Sequence, residues 1–69
     1  MEYVKNKVFE LRKVKDVTQE EFASDIGVSR QTVVAIEKGN YTPSLLLGLK
    51  IAKYFGKRVE EVFLLKNEK

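Results

Sequence analysis

Apolar residues come in short bursts along the 69-residue chain, and the spacing within each burst is helical. Val4, Val8 and Leu11 stand at i, i+4 and i+7, which predicts an amphipathic helix over about residues 4–15. Thr18 and Glu21 form a T-x-x-E capping box, so a second helix starts at Thr18. Phe22, Ala23 and Ile26 mark its apolar face, and Gly27 ends it. Ser29 follows after only Val28 and is a good N-cap. A third helix then runs to Lys38, with Gly39 just past its end. "NYTPS" reads as a loop in which either Thr42, with Pro43 as the first helical residue, or Ser44 caps a fourth helix. Leu45, Leu49, Ala52 and Phe55 mark the inner face of that helix, which stops at Gly56. Gly48 inside it costs about 1 kcal/mol relative to Ala, which predicts a close helix contact there. "RVEEVF" suits a short fifth helix, and residues 64–69, "LLKNEK", a tail. No stretch sustains strand alternation. The expected fold class is therefore all-α, a single compact five-helix domain over residues 1–69.

Two short helices joined by a tight Gly-containing turn make a helix-turn-helix over about residues 18–38. On a wheel of about 100° per residue, Arg30, Gln31, Val34, Ala35 and Lys38 fall within one arc of about 140°. Ser29, Thr32, Val33 and Ile36 fall on the other side, where the two largest β-branched residues, Val33 and Ile36, define a core face. The outward arc is unusual for a merely solvated surface, where Glu and Lys are expected. Arg and Gln make bidentate hydrogen bonds to the edges of guanine and adenine, and Val and Ala can touch a thymine methyl. In a DNA-binding helix-turn-helix the second helix enters the major groove by its N-terminal end. Here that end carries Arg30 and Gln31.

Composition narrows the alternatives. The chain has no Cys and no His, which leaves out disulfides, thiolate chemistry, Cys/His metal sites and the commonest general base. No cofactor or metal is expected. Glu20, Glu21, Asp25, Glu60 and Glu61 lie at helix starts and surfaces, where capping and solvation account for them, and no nucleophile–base pair is present, so an enzyme is not expected. No apolar run approaches the roughly 18 residues of a membrane span, and the N-terminus lacks the apolar core of a signal peptide, so neither a membrane nor a small-molecule ligand is expected, and the cytoplasm is the default location. A net charge of +3 is only mildly basic, and the placement of the charge matters more than its sum.

The stretch "TQEEFASDIGVSRQTVVAIEKGNYTPS" resembles the helix-turn-helix of the phage repressor and Cro family, the XRE-like group of small DNA-binding domains. The pieces that carry the resemblance are T-Q-E-E-x-A, G-V-S-R-Q-T, I-E-K-G, P-S-L and the A-K-Y-F-G and E-E-V-F segments, in order from about Val4 to Phe63. The resemblance implies a lambda-repressor-like fold and a transcriptional regulator, a repressor of its own or a neighbouring promoter, that binds pseudo-palindromic double-stranded DNA as a homodimer. It puts base contacts on Arg30, Gln31, Val34 and Ala35. It puts backbone contacts on Gln19, Ser29, Thr32, Lys38, Asn40 and Tyr41, which position the protein without reading sequence. It makes Arg12 and Glu37 an ion pair tying the first helix to the end of the third, although Arg12 could equally serve as a phosphate contact. The chain departs from relatives that carry more polar residues at the positions of Val34 and Ala35, and so offers fewer hydrogen-bonding groups for base contact there.

A dimer interface is expected around the fourth and fifth helices and the apolar residues after them, with Leu46, Leu47, Tyr54, Arg58, Val59, Glu60, Phe63 and Leu65 as its candidates. By the resemblance, residues 57–60 lie near the dimer axis, where Arg58 and Glu60 could pair. Phe63 and Leu64 could instead fold back on the first helix beside Tyr3 and Val4. Two further functions share the same fold: an antitoxin whose exposed patch holds a toxin protein, or a protein-interaction module without DNA binding. An adjacent toxin-like gene, or a second protein that co-purifies, would distinguish them.

Overall fold

The computed structural model describes residues 1–68 of the chain; the last residue of the 64–69 segment lies outside the described residues. Five helices and two strands follow one another as β1 (Glu2–Asn6), α1 (Val8–Lys15), α2 (Gln19–Ile26), α3 (Arg30–Glu37), α4 (Leu45–Tyr54), α5 (Val59–Val62) and β2 (Phe63–Asn67). The fold is mostly helical, and the all-α expectation is corrected by a two-stranded antiparallel sheet that joins the two ends of the chain. Its register pairs Val4 with Leu65 and Asn6 with Phe63. The N–H of Lys7 continues the ladder by donating to the Val62 carbonyl at 2.9 Å.

The sheet also corrects the start of the first helix. Val4 keeps its helical spacing from Val8 and Leu11, but it belongs to a strand. The helix begins at Val8, whose N–H donates to the Asn6 side chain at 3.1 Å. It ends at Asp16, the one non-glycine residue among those described with a left-handed backbone (φ 61°). Val4 shares the side of the sheet that bears Phe63 and Leu65, so its helical spacing from Val8 is a coincidence of position.

Caps set the remaining boundaries. The Thr18 hydroxyl accepts from the Glu21 N–H at 3.0 Å while the Glu21 carboxylate accepts from the Thr18 N–H at 2.8 Å. Ser29 caps α3 and Ser44 caps α4, which settles the choice between Thr42 and Ser44. The core consists of Val8, Phe22, Ala23, Ile26, Val33, Ile36, Ile51, Ala52 and Val62. Phe22 stacks at tilted angles on Tyr54 and Phe55, with ring centroids 5.1 and 5.2 Å away.

The inner face of α4 is rotated from the expected one. Leu45 and Leu49 are exposed, and Gly48, Ile51 and Ala52 are buried. The run "LLLGLKIA" puts a leucine on nearly every side, so spacing alone does not choose among overlapping stripes; Ile51 occupies the centre of the packing. The contact at Gly48 is also less tight than expected. A Cβ there would lie 3.8 Å from Phe63 Cε2 and 4.0 Å from Val59 Cγ2, ordinary van der Waals separations.

Candidate nucleic-acid interface

The helix-turn-helix is built by α2 and α3. Gly27 turns the chain at φ 80°, and its N–H and that of Val28 both donate to the Ala23 carbonyl at 2.9 Å. Ala23 is buried, which lets α3 cross close to α2. The Ser29 hydroxyl accepts from the Thr32 N–H at 3.2 Å and lies 3.0 Å from the Thr32 hydroxyl. Ser29 and Thr32 are therefore engaged with each other at the start of α3, with Ser29 exposed and Thr32 half-buried.

Around α3 the side chains sort into two faces. Val33 and Ile36 are fully buried. Arg30, Gln31 and Lys38 are exposed, and Val34 and Ala35 are half-buried along the flank of the outward arc. The helix thus offers two long polar side chains at its N-terminal end and a shallow apolar floor behind them. Asn40 and Tyr41 follow in an exposed loop, and the Asn40 N–H closes the end of α3 by donating to the Ala35 carbonyl at 2.9 Å.

A buried polar cluster fixes the far end of the same helix. Arg12 Nε donates to Glu37 Oε2 at 2.7 Å and Arg12 Nη2 to Glu37 Oε1 at 3.2 Å, a two-pronged ion pair. The third nitrogen, Nη1, donates to the Val17 carbonyl at 2.9 Å. The two side chains are 8% and 6% exposed, too enclosed for Arg12 to reach outward as well. The guanidinium also lies 5.4 Å from the centroid of the Phe9 ring, a cation–π contact. Gln19, at the start of α2, donates from Nε2 to Glu37 Oε1 at 3.1 Å. One carboxylate at the end of α3 therefore holds both α1 and the first residue of α2.

The eight expected interface residues divide. Tyr54 is occupied within the chain: its hydroxyl donates to Asp25 at 2.8 Å and its ring packs on Phe22. Burial, reinforced by that hydrogen bond and by the charges of Asp25 and Glu21, pushes the phenol up to about 12. Leu47, Val59 and Phe63 are partly buried against the core. Leu46, Arg58, Glu60 and Leu65 are exposed. Phe63 and Leu64 fold back onto β1 rather than onto the first helix, opposite Asn6 and Lys5 in the register. The Arg58 N–H donates to Glu61 Oε1 at 2.8 Å, which caps α5 and holds the Glu61 carboxyl below the usual carboxylate range against a smaller opposing effect of burial.

Asn6 has a role the helical pattern hid. Its Nδ2 donates to the Ile36 carbonyl at 2.9 Å while its Oδ1 accepts from Val8. One amide thus starts α1 and satisfies a terminal carbonyl of α3. Lys7 stands between Asn6 and the first helical residue, so the usual N-cap position does not point to Asn6.

Two capped helices crossing at a buried alanine, with a polar face projecting from the second, define a helix-turn-helix DNA-binding domain. A family model described as Helix-turn-helix matches residues 8–62. The chain belongs to this family, the Cro/C1-type XRE group of HTH-type transcriptional regulators. It is 55% identical over 65 residues to the HTH-type transcriptional regulator YgzD of Bacillus subtilis, a match covering 94% of this chain and 98% of the relative. An HTH-type regulator of Methanocaldococcus jannaschii is 49% identical with the same two coverages. The transcriptional repressor RstR of the cryptic phage CTXphi in Vibrio cholerae is 40% identical over 57 residues, which cover 83% of this chain and 51% of the repressor. Among the described residues, no helix is long and apolar enough to cross a membrane.

Proposed function

We propose that the chain is a sequence-specific repressor that binds a pseudo-palindromic operator as a homodimer, with α3 in the major groove. The observation that carries this reading is the division of α3 into an anchored face and a projecting one. Val33, Ile36 and the Glu37 clamp hold the helix rigidly from behind, and rigid presentation is what base readout requires. Arg30 and Gln31 read base edges, and Val34 and Ala35 lie against the groove floor, where a thymine methyl fits. Lys38, Asn40, Tyr41, Ser29, Thr32 and the amide end of α2 at Gln19 meet phosphates. The Vibrio phage relative is named a repressor, which supports that direction of regulation.

A dimer is supported by an apolar face with no cover in the protomer. A shallow hollow of about 160 Å³ is lined by Val4, Pro43, Leu45, Val59 and Phe63. Leu65 shares the Val4 and Phe63 side of the sheet by register and is 69% exposed. Two reading helices on one duplex also supply the affinity that a single helix with two bidentate contacts lacks.

Selection of binding sites from random duplex DNA tests the reading. The expected outcome is an inverted repeat whose half-sites lie about one helical turn apart. Arg30→Ala or Gln31→Ala then relaxes preference at particular base pairs, costing about 1–3 kcal/mol at each, whereas Lys38→Ala weakens binding to all sequences. A selection that enriches no motif defeats the proposal.

A further inference from the structure

Beside the end of α3 lies an open cleft of about 430 Å³ lined by Tyr3, Val4, Lys5, Asn6, Glu37, Lys38 and Gly39. Four consecutive residues of β1 line it, as the edge of a strand does; a strand face would contribute alternate residues. The register explains why that edge is open. Met1 and Lys7 bond across to Glu68 and Val62, so the odd-numbered residues of β1 turn their backbone groups toward β2 and the even-numbered ones turn theirs away. The Val4 N–H and carbonyl therefore point out from the free edge. Lys5 and Lys38 both line the cleft and are both exposed. Among the described residues the only ion pair is Arg12–Glu37, so neither lysine has a carboxylate partner. The one acid in the lining, Glu37, has its carboxylate occupied by Arg12 and Gln19. The cleft is an uncompensated positive corner with a backbone N–H at its edge, features that suit an anion.

Its place along α3 says which anion. A helix of eight residues is about 12 Å long, close to the width of the major groove. With Arg30 and Gln31 at base edges, the other end of the helix, at Lys38, reaches the groove wall, where the phosphates run. We infer that this cleft seats a DNA phosphate between Lys5 and Lys38, making the N-terminal strand part of the DNA-contacting surface. The inference rests on the proposed placement of α3 in the groove. It adds Lys5, a residue outside the helix-turn-helix, to the contacts that set affinity without setting sequence preference.

The test measures affinity against salt for the full chain on its selected operator and on an unrelated duplex. Lys5→Ala should lower the salt slope by about one unit, so that the loss of affinity between 50 and 200 mM salt shrinks by about three- to fourfold relative to the unaltered protein. It should do so equally on both duplexes, and Lys5→Arg should keep the original slope. Lys53→Ala, an exposed charge on α4 away from the cleft, should leave the slope unchanged. A Lys5→Ala slope equal to that of Lys53→Ala, in a protein that binds its operator, overturns the inference alone. Failure of the unaltered protein to bind any duplex overturns the groove placement, and the inference falls with it.

Discussion

Glu37 ties α1 and the start of α2 to the end of α3. Its two oxygens receive three hydrogen bonds, two from Arg12 and one from Gln19, and the ion pair is almost wholly enclosed. Removing one partner from an enclosed pair leaves the other charge buried and uncompensated, which costs about 3–5 kcal/mol. Arg12→Ala should therefore lower the urea midpoint sharply, since a domain of this size has a small margin. Replacing both partners with apolar residues of similar size should restore much of the stability. DNA affinity should not return in that double variant, because Gln19 has lost the group that orients it. Denaturation and binding measured side by side on the two variants check both halves of the expectation.

Tyr54 makes a separate, pH-dependent claim at the same scale. Its phenol is raised from the ordinary value of 10.0 to about 12 in the folded chain, first by burial and then by the hydrogen bond to Asp25. Above pH 10 an unfolded tyrosine loses its proton while the folded one keeps it. The folded state then binds more protons, so stability falls as pH rises. The loss should run through the window from about pH 10 to about pH 12. Tyr54→Phe removes that contribution, and its stability curve should be flatter across the same window when measured by denaturant titration at each pH.

At the scale of elements, punctuation was more legible than packing. Thr18, Ser29 and Ser44 act through bonds to residues three positions away, so a local reading of the chain finds them. The helix-turn-helix was legible for the same reason, because Gly27 and the small Ala23 act within a few residues of each other. The inner stripe of α4 was not, because "LLLGLKIA" contains several equivalent apolar stripes and only contact with α2 and α5 chooses one. Gly48 shows the difference. It is buried, yet the space around it accepts a methyl group at van der Waals distance. Gly48→Ala should raise stability by up to about 1 kcal/mol through helix propensity, read as a higher thermal midpoint with DNA binding unchanged. A fall in the midpoint would show that Phe63 and Val59 do not accommodate the added methyl group.

At the scale of the whole molecule, the sheet sets which apolar side chains share the exposed face. β2 takes Phe63 from the expected fifth helix and residues 64–67 from the expected tail into a strand, placing Leu65 beside Val4 on the side that carries the apolar hollow. Leu65→Lys keeps the backbone pairing and puts a charge on that face. If the proposed dimer forms through this face, the variant should sediment as a monomer at concentrations where the unaltered protein sediments as a dimer. Operator affinity should fall with it, while the helical circular dichroism signal stays the same. A variant that remains fully dimeric would place the interface elsewhere.

Sequence by itself determined the helix boundaries set by caps, the helix-turn-helix and the division of α3 into a face held by Val33 and Ile36 and a face bearing Arg30 and Gln31. These depend on side chains no more than about four positions apart, whose geometry a helix repeats wherever it occurs. Tertiary structure alone decided the strand pairing, the rotation of α4, the occupation of Tyr54 by Asp25 and the tie from Asn6 to the end of α3. Each joins residues about 25 or more positions apart, or chooses among equal apolar stripes. A five-residue strand at either end of the chain has no stable local form, and it exists only because the helices between bring those ends within hydrogen-bonding distance.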